Sequence, residues 1–153
     1  MNTRFAKCLR ELQPKSKKLE GMMPFKMDAL PKNIPKAGVY LFSERGRHLY
    51  VGRSSNIRGR LRNHCRRHHN AASFAFLLAR KKTGNLKPTY KREGSRAHLM
   101  SQATFRTAFF SQIERVKRMD IRFVKERNPW RRMLLEAYVA IELKTPYNKF
   151  KET

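Results

Sequence analysis

The chain has 153 residues, room for one domain and little more, and 40% of them are hydrophobic, enough for a buried core. Thirty-six Lys and Arg against eleven Asp and Glu give a net charge of +25, which points to a polyanionic partner, because basic groups bound to phosphate release its condensed counterions. Cys8 and Cys65 are too few for a disulfide framework, no apolar leader precedes the first polar residues, and the longest apolar run, near Phe74 to Ala79, is far too short to span a bilayer; the expectation is a soluble, cytoplasmic protein without a membrane partner.

Phe5, Cys8, Leu9 and Leu12 fall on one side of a helical wheel, predicting a short helix over 1–13 that Pro14 ends. Residues 14–37 carry four prolines and scattered lysines and read as an extended lead-in. With the helix they form an N-terminal extension over 1–34, ahead of a single domain over 35–153.

Gly38-Val39-Tyr40-Leu41-Phe42-Ser43 and Arg47-His48-Leu49-Tyr50-Val51-Gly52 flank Glu44-Arg45-Gly46, the pattern of a β-hairpin. A three-residue loop with glycine in the left-handed position sets Tyr40 opposite Tyr50, whereas a two-residue loop sets it opposite Val51. The three-residue register is the expectation. It sends both tyrosines to one face and Val39, Leu41, Leu49 and Val51 to the other.

Ser54-Ser55-Asn56 offers N-caps for a helix running to about Arg67, on which Arg60 and His64 are neighbours four apart. Ala71 to Ala79 suggests another helix. Residues 80–104, polar and basic with Gly and Pro, read as a loop, and Phe105 to Val116 as a helix. Asp120 to Val124 alternates like a strand. Asn128-Pro129 starts a helix that runs to about Leu143, with Trp130, Leu134, Ala137 and Ile141 as its expected apolar stripe and Glu136 to the flank. Pro146 follows, then Tyr147-Asn148.

Each of these residues has an ordinary reading alone. Tyrosine pairs are common on strands, Arg60 sits among Arg58, Arg62, Arg66 and Arg67, and a lone helical glutamate is usually a surface residue. Their order is what carries weight. Gly38-Val39-Tyr40, Tyr50-Val51-Gly52, Arg60, His64, Glu136 and Asn148 together resemble the GIY-YIG nuclease family, over roughly 35–67 and 119–150. The first motif has valine for isoleucine. An insertion at about 68–118 interrupts the match.

The resemblance implies an α+β fold, a small three-stranded antiparallel sheet flanked by helices, and a divalent-metal-dependent endonuclease acting on DNA. It implies Tyr40, Tyr50, Arg60, His64, Glu136 and Asn148 as catalytic residues. Arg60 would hold the scissile phosphate, the tyrosines would orient water, and Tyr50, with His64 as rival, would act as base. One Mg²⁺ or Mn²⁺ on Glu136 is the expected cofactor, since Mg²⁺ keeps most of its waters and can be held by few carboxylates. Carboxylates are scarce here: none occurs from Arg45 through Arg92. Asp120 and Glu126 are the fallbacks.

Between 66 and 118 stand thirteen Lys and Arg against Glu93 and Glu114, interleaved with Tyr90, Phe105, Phe109 and Phe110. This is either a substrate-gripping arm or a solvated surface. Arg53, Arg58, Arg62, Arg66, Arg67, Lys81, Lys82, Lys91 and Arg92 are the expected nucleic-acid contacts, with double-stranded DNA as partner and no obligate protein partner. A zinc site of His64, Cys65, His68 and His69 is disfavoured, because Cys65 points away from the His64–His68 face. A non-catalytic DNA- or RNA-binding protein on the same fold is the alternative.

Overall fold

The structure, a computed structural model, describes residues 3–85 and 95–148. In chain order the elements are α1 (Arg4–Gly21), a 3₁₀ turn (Met27–Ala29), β1 (Gly38–Glu44), β2 (Arg47–Ser54), α2 (Ile57–Asn63), α3 (Ser73–Thr83), α4 (Arg96–Ser101), α5 (Ala103–Lys117), β3 (Asp120–Lys125) and α6 (Pro129–Leu143). The strands form one antiparallel sheet in the order β2-β1-β3. The fold class is thus the expected α+β arrangement of three antiparallel strands with helices. Two compact units divide the chain: 1–60 with 119–153, and 61–118.

In the first unit the hairpin departs from the expected register. Its loop has only two residues, Arg45 and Gly46, both at positive φ (52° and 76°), the backbone of a type I′ turn. Left alone, that loop would set Tyr40 opposite Val51. A bulge near Leu49 inserts one residue, so Ser43 pairs with His48 but Phe42 pairs with Tyr50 and Tyr40 with Gly52. Two one-residue offsets cancel in parity. Tyr40 and Tyr50 therefore share a face after all, as diagonal rather than direct neighbours.

The opposite face is the core. Val39, Leu41, Val51 and Val124 from the sheet meet Leu12 and Leu19 of α1 and Leu135, Val139 and Ala140 of α6. The first helix does not stop at Pro14. It runs to Gly21 with the proline inside, capped at its start by Thr3, whose hydroxyl accepts from the Ala6 N–H at 3.1 Å. An internal proline removes one ladder bond and costs a helix about 3 kcal/mol. Leu12 and Leu19, two turns apart and fully buried, bracket it, and their burial outweighs the break. The N-terminal helix thus supplies core side chains.

The start of α6 is as expected: the Asn128 side chain accepts from the N–H groups of Trp130 and Arg131, and Pro129 takes the first turn. Its buried face is so only in part: Leu134 of the expected stripe packs against the core. Leu135, Glu136, Val139 and Ala140 turn inward, while Trp130 and Ile141 stand 74% and 70% exposed. The helix has apolar residues on both sides, and the row through Leu135 and Val139 is the one that packs. Arg131, one turn before Leu135, bonds Glu126 and Glu11 on the same side. Lys15 of α1 also reaches Glu126, at 2.7 Å.

The second unit is helical. Ala72 precedes α3, whose Phe74, Ala75, Phe76, Leu78 and Ala79 are buried, and Gly84 ends it at positive φ. The helix over Phe105 to Val116 appears as α5. Part of the expected loop over 80–104 is structured instead: α3 continues to Thr83, and α4 starts at a Ser95 cap. The ring of Phe76 packs 5.1 Å from Phe105, with the guanidinium groups of Arg80 and Arg96 5.2 and 5.0 Å from its centre.

If α1 is part of the core, Leu19→Ala should destabilise the protein by about 2–5 kcal/mol. Urea unfolding followed by circular dichroism measures this, and a loss below about 0.5 kcal/mol would mean that α1 is dispensable.

Candidate active site

The site grows from the register. Tyr40 sits on β1 opposite Gly52 on β2, and opposed residues share a face. A Cβ at Gly52 would lie 2.3 Å from both Cζ and the hydroxyl of Tyr40. The phenol therefore lies across β2 at the one point where that strand has no side chain. Phe42 meets the Tyr40 ring edge-on, at 5.8 Å and 81°. The role of Gly52 as a platform follows only once its cross-strand partner is known.

After β2 the chain turns into α2. The Asn56 N–H donates to Ser54 Oγ at 2.9 Å, and Asn56 Oδ1 accepts from the Gly59 N–H at 3.2 Å, so Asn56 is the cap. The Ile57 N–H is tied to the Lys36 carbonyl at 2.8 Å. This fixes Arg60 one turn into the helix, where it hydrogen-bonds Tyr40. The helix ends at Asn63, not near Arg67.

Tyr40 is the electrostatic centre of the group. Burial pushes its phenol well above the ordinary value, and the nearby charges of Tyr50 and Glu136 push the same way, while Arg60 pulls back through its charge and its hydrogen bond. Tyr40 is a hydrogen-bonding phenol, not a phenolate. Tyr50 is more exposed.

Glu136 is largely enclosed, its side chain 12% exposed, and Arg53 forms a charge-assisted ion pair with it. Arg53 stands opposite Val39, hence on the α6 face of the sheet. The sequence offered it only as a phosphate contact. The fallback carboxylates are engaged elsewhere. Asp120 pairs with Lys26 at 2.8 Å. Burial works to raise Glu126, but hydrogen bonds from Lys15, Arg131 and the Asn128 N–H outweigh it and hold the carboxyl below its usual range.

Asn148 takes a structural place. Its Oδ1 accepts from the Val51 N–H at 2.8 Å and its Nδ2 donates to the Val51 carbonyl at 2.7 Å. The Thr145 hydroxyl adds a third bond to Oδ1, at 2.8 Å. The amide thus replaces a missing strand beside the segment that carries Tyr50 and Gly52. Arg58 is also occupied: its guanidinium donates to the carbonyls of Pro31 and Lys32.

His64 belongs to the second unit and is fully buried. Arg62, Arg66, Lys81 and Lys82 are exposed there, and the exposed Arg67 holds its guanidinium 4.6 Å from the centre of the Phe110 ring. Lys91 and Arg92 lie outside the described residues. Among the described residues no three His, Cys, Asp or Glu are grouped to hold a metal. No helix among them is long and apolar enough to cross a membrane.

Residues 36–100 match the family model of the UvrC-like GIY-YIG domain. The match spans the hairpin and the arginine helix and supports the GIY-YIG nuclease superfamily; Glu136 and Asn148 lie beyond it. No curated protein and no solved structure matches the chain.

Two outcomes follow. An unfolded phenol ionises near 10.0, and Tyr40 ionises above that when folded, so its proton adds stability below that pH that is lost as the pH rises toward the folded value. The urea midpoint should therefore fall less steeply above pH 10 in Tyr40→Phe than in wild type. Asn148→Ala should cost about 1–3 kcal/mol, by leaving two buried-edge backbone groups without partners, and hydrogen exchange at the Val51 amide should accelerate in step.

Proposed function

We propose that this chain, in which residues 36–100 match a GIY-YIG domain, is a divalent-metal-dependent endonuclease that hydrolyses phosphodiester bonds in DNA. What supports this reading is geometric: the Tyr40 phenol lies over Gly52 and hydrogen-bonds Arg60, Tyr50 shares its sheet face, and the Glu136 carboxylate is near enough to act on the phenol electrostatically. Phosphodiester hydrolysis needs these kinds of group, namely a cation for the phosphate, a proton acceptor for water and a carboxylate for a metal.

A lone carboxylate suits Mg²⁺ or Mn²⁺, which keep several waters and need few protein ligands, and does not suit structural zinc. When bound, the ion would polarise a phosphate oxygen and assist the leaving group. Arg60 would take the phosphate through its planar fork of donors. Tyr40, kept neutral by burial, would donate its hydroxyl hydrogen bond to the reacting oxygens. Tyr50, the more exposed phenol, is our choice of base over the buried His64. Asn148 would hold the Tyr50–Gly52 strand in place.

Double-stranded DNA is the favoured substrate, gripped by exposed arginines and lysines such as Arg62, Arg66, Arg67, Lys81 and Lys82. The two free cysteines suit work in a reducing cytoplasm.

Supercoiled plasmid tests the reading. Nicking that needs Mg²⁺ or Mn²⁺ and falls at least about 100-fold in Arg60→Ala and in Glu136→Ala, with DNA affinity within a few-fold of wild type, is the expected result. Tight binding with no cleavage of any duplex, branched or single-stranded DNA or RNA would instead favour a non-catalytic nucleic-acid-binding protein on this fold.

A further inference from the structure

The carboxylate assigned to the metal already has a cation. Glu136 comes from the inward side of α6 and is mostly enclosed, whereas Arg53 reaches it from β2 with a side chain 47% exposed. One partner is fixed by core packing; the other, one residue after Gly52, leaves about half of its side chain in solvent. The guanidinium can leave without disturbing the core, and the carboxylate cannot.

We propose that Arg53 is an exchangeable counter-ion for Glu136: it neutralises the carboxylate until a divalent ion takes its place, and the released guanidinium is then free to meet the DNA phosphate. The proposal rests on the reading of Glu136 as the metal ligand.

Three physical points carry it. A mostly enclosed carboxylate without a nearby cation is costly, so a protein that folds before meeting its metal needs a stand-in. A guanidinium and a divalent ion on one carboxylate repel each other, so occupancy becomes exclusive. Arginine binds carboxylate and phosphate through the same fork of donors, so the group released from one is competent for the other. Ion entry and phosphate capture are thereby coupled: DNA that engages Arg53 also uncovers Glu136.

Mn²⁺ binding to the full-length chain without DNA, followed by electron paramagnetic resonance of the free ion, tests this apart from activity. Arg53→Gln should bind Mn²⁺ about 3- to 5-fold more tightly than wild type, the scale of removing one partly exposed competing ion pair. Arg53→Lys should stay near wild type, and Glu136→Gln should lose the site. Arg45→Asn, which removes one charge from a turn that accepts asparagine, should leave the affinity within twofold, excluding a general charge effect.

If Glu136→Gln abolishes binding but Arg53→Gln binds no more tightly than wild type, the counter-ion proposal falls and the metal site stands. If Glu136→Gln binds as wild type does, or no variant binds, the metal reading falls and takes the proposal with it. Should Arg53→Gln fail to fold, ¹⁵N-arginine wild type serves, with Arg53→Lys for assignment. The Arg53 guanidinium signals, slowed by the ion pair, should broaden on Mg²⁺ saturation, and signals unchanged at saturation overturn the proposal.

Discussion

Between β1 and β2 the phenol of Tyr40 fills the space that any side chain at residue 52 would need. Most of the candidate site depends on that close approach. It carries the hydroxyl across the strand and brings it within reach of Arg60 on the following helix. It also buries the phenol, and burial keeps the proton on. A methyl group at Gly52 would displace the ring and with it the partner of Arg60. The glycine acts through the absence of atoms, which is why it looks inert until its cross-strand neighbour is known.

The sequence made the elements legible and left their rotation and register undetermined. Asn128-Pro129 marked the start of α6 because capping chemistry is local: the cap side chain and the N–H groups it accepts from lie within three residues. Which face of that helix turns inward is not local. Trp130 and Ile141 looked as apolar as Leu135 and Val139, and which row packs depends on what the sheet and α1 present to it. The hairpin shows the same division. Composition found both strands and the turn, yet the loop length and the bulge were each missed by one residue. The predicted faces survived because alternation depends only on parity. Pro14 misled because propensity is a weak force beside two buried leucines.

The residues proposed for the site were legible as a set, and their individual partners were not. Asn148 stood out by position, but its amide is spent on the backbone of Val51. Arg53 stood out as a cation just after Tyr50-Val51-Gly52, but its partner is the scarce acid. In a chain of charge +25, carboxylates are the limiting groups. Glu11, Asp120, Glu126 and Glu136 each hold a basic side chain in the first unit.

The strand order β2-β1-β3 leaves β2 at a border of the sheet, where unpaired backbone groups invite other polypeptides to align. Here that border is closed from within. The Tyr147 N–H donates to the Leu49 carbonyl at 3.2 Å, and the Asn148 amide takes both backbone groups of Val51. Two residues thus imitate a neighbouring strand without being one. They deny a template for edge-to-edge pairing along the strand that carries Tyr50 and Gly52, so a single carboxamide guards that border.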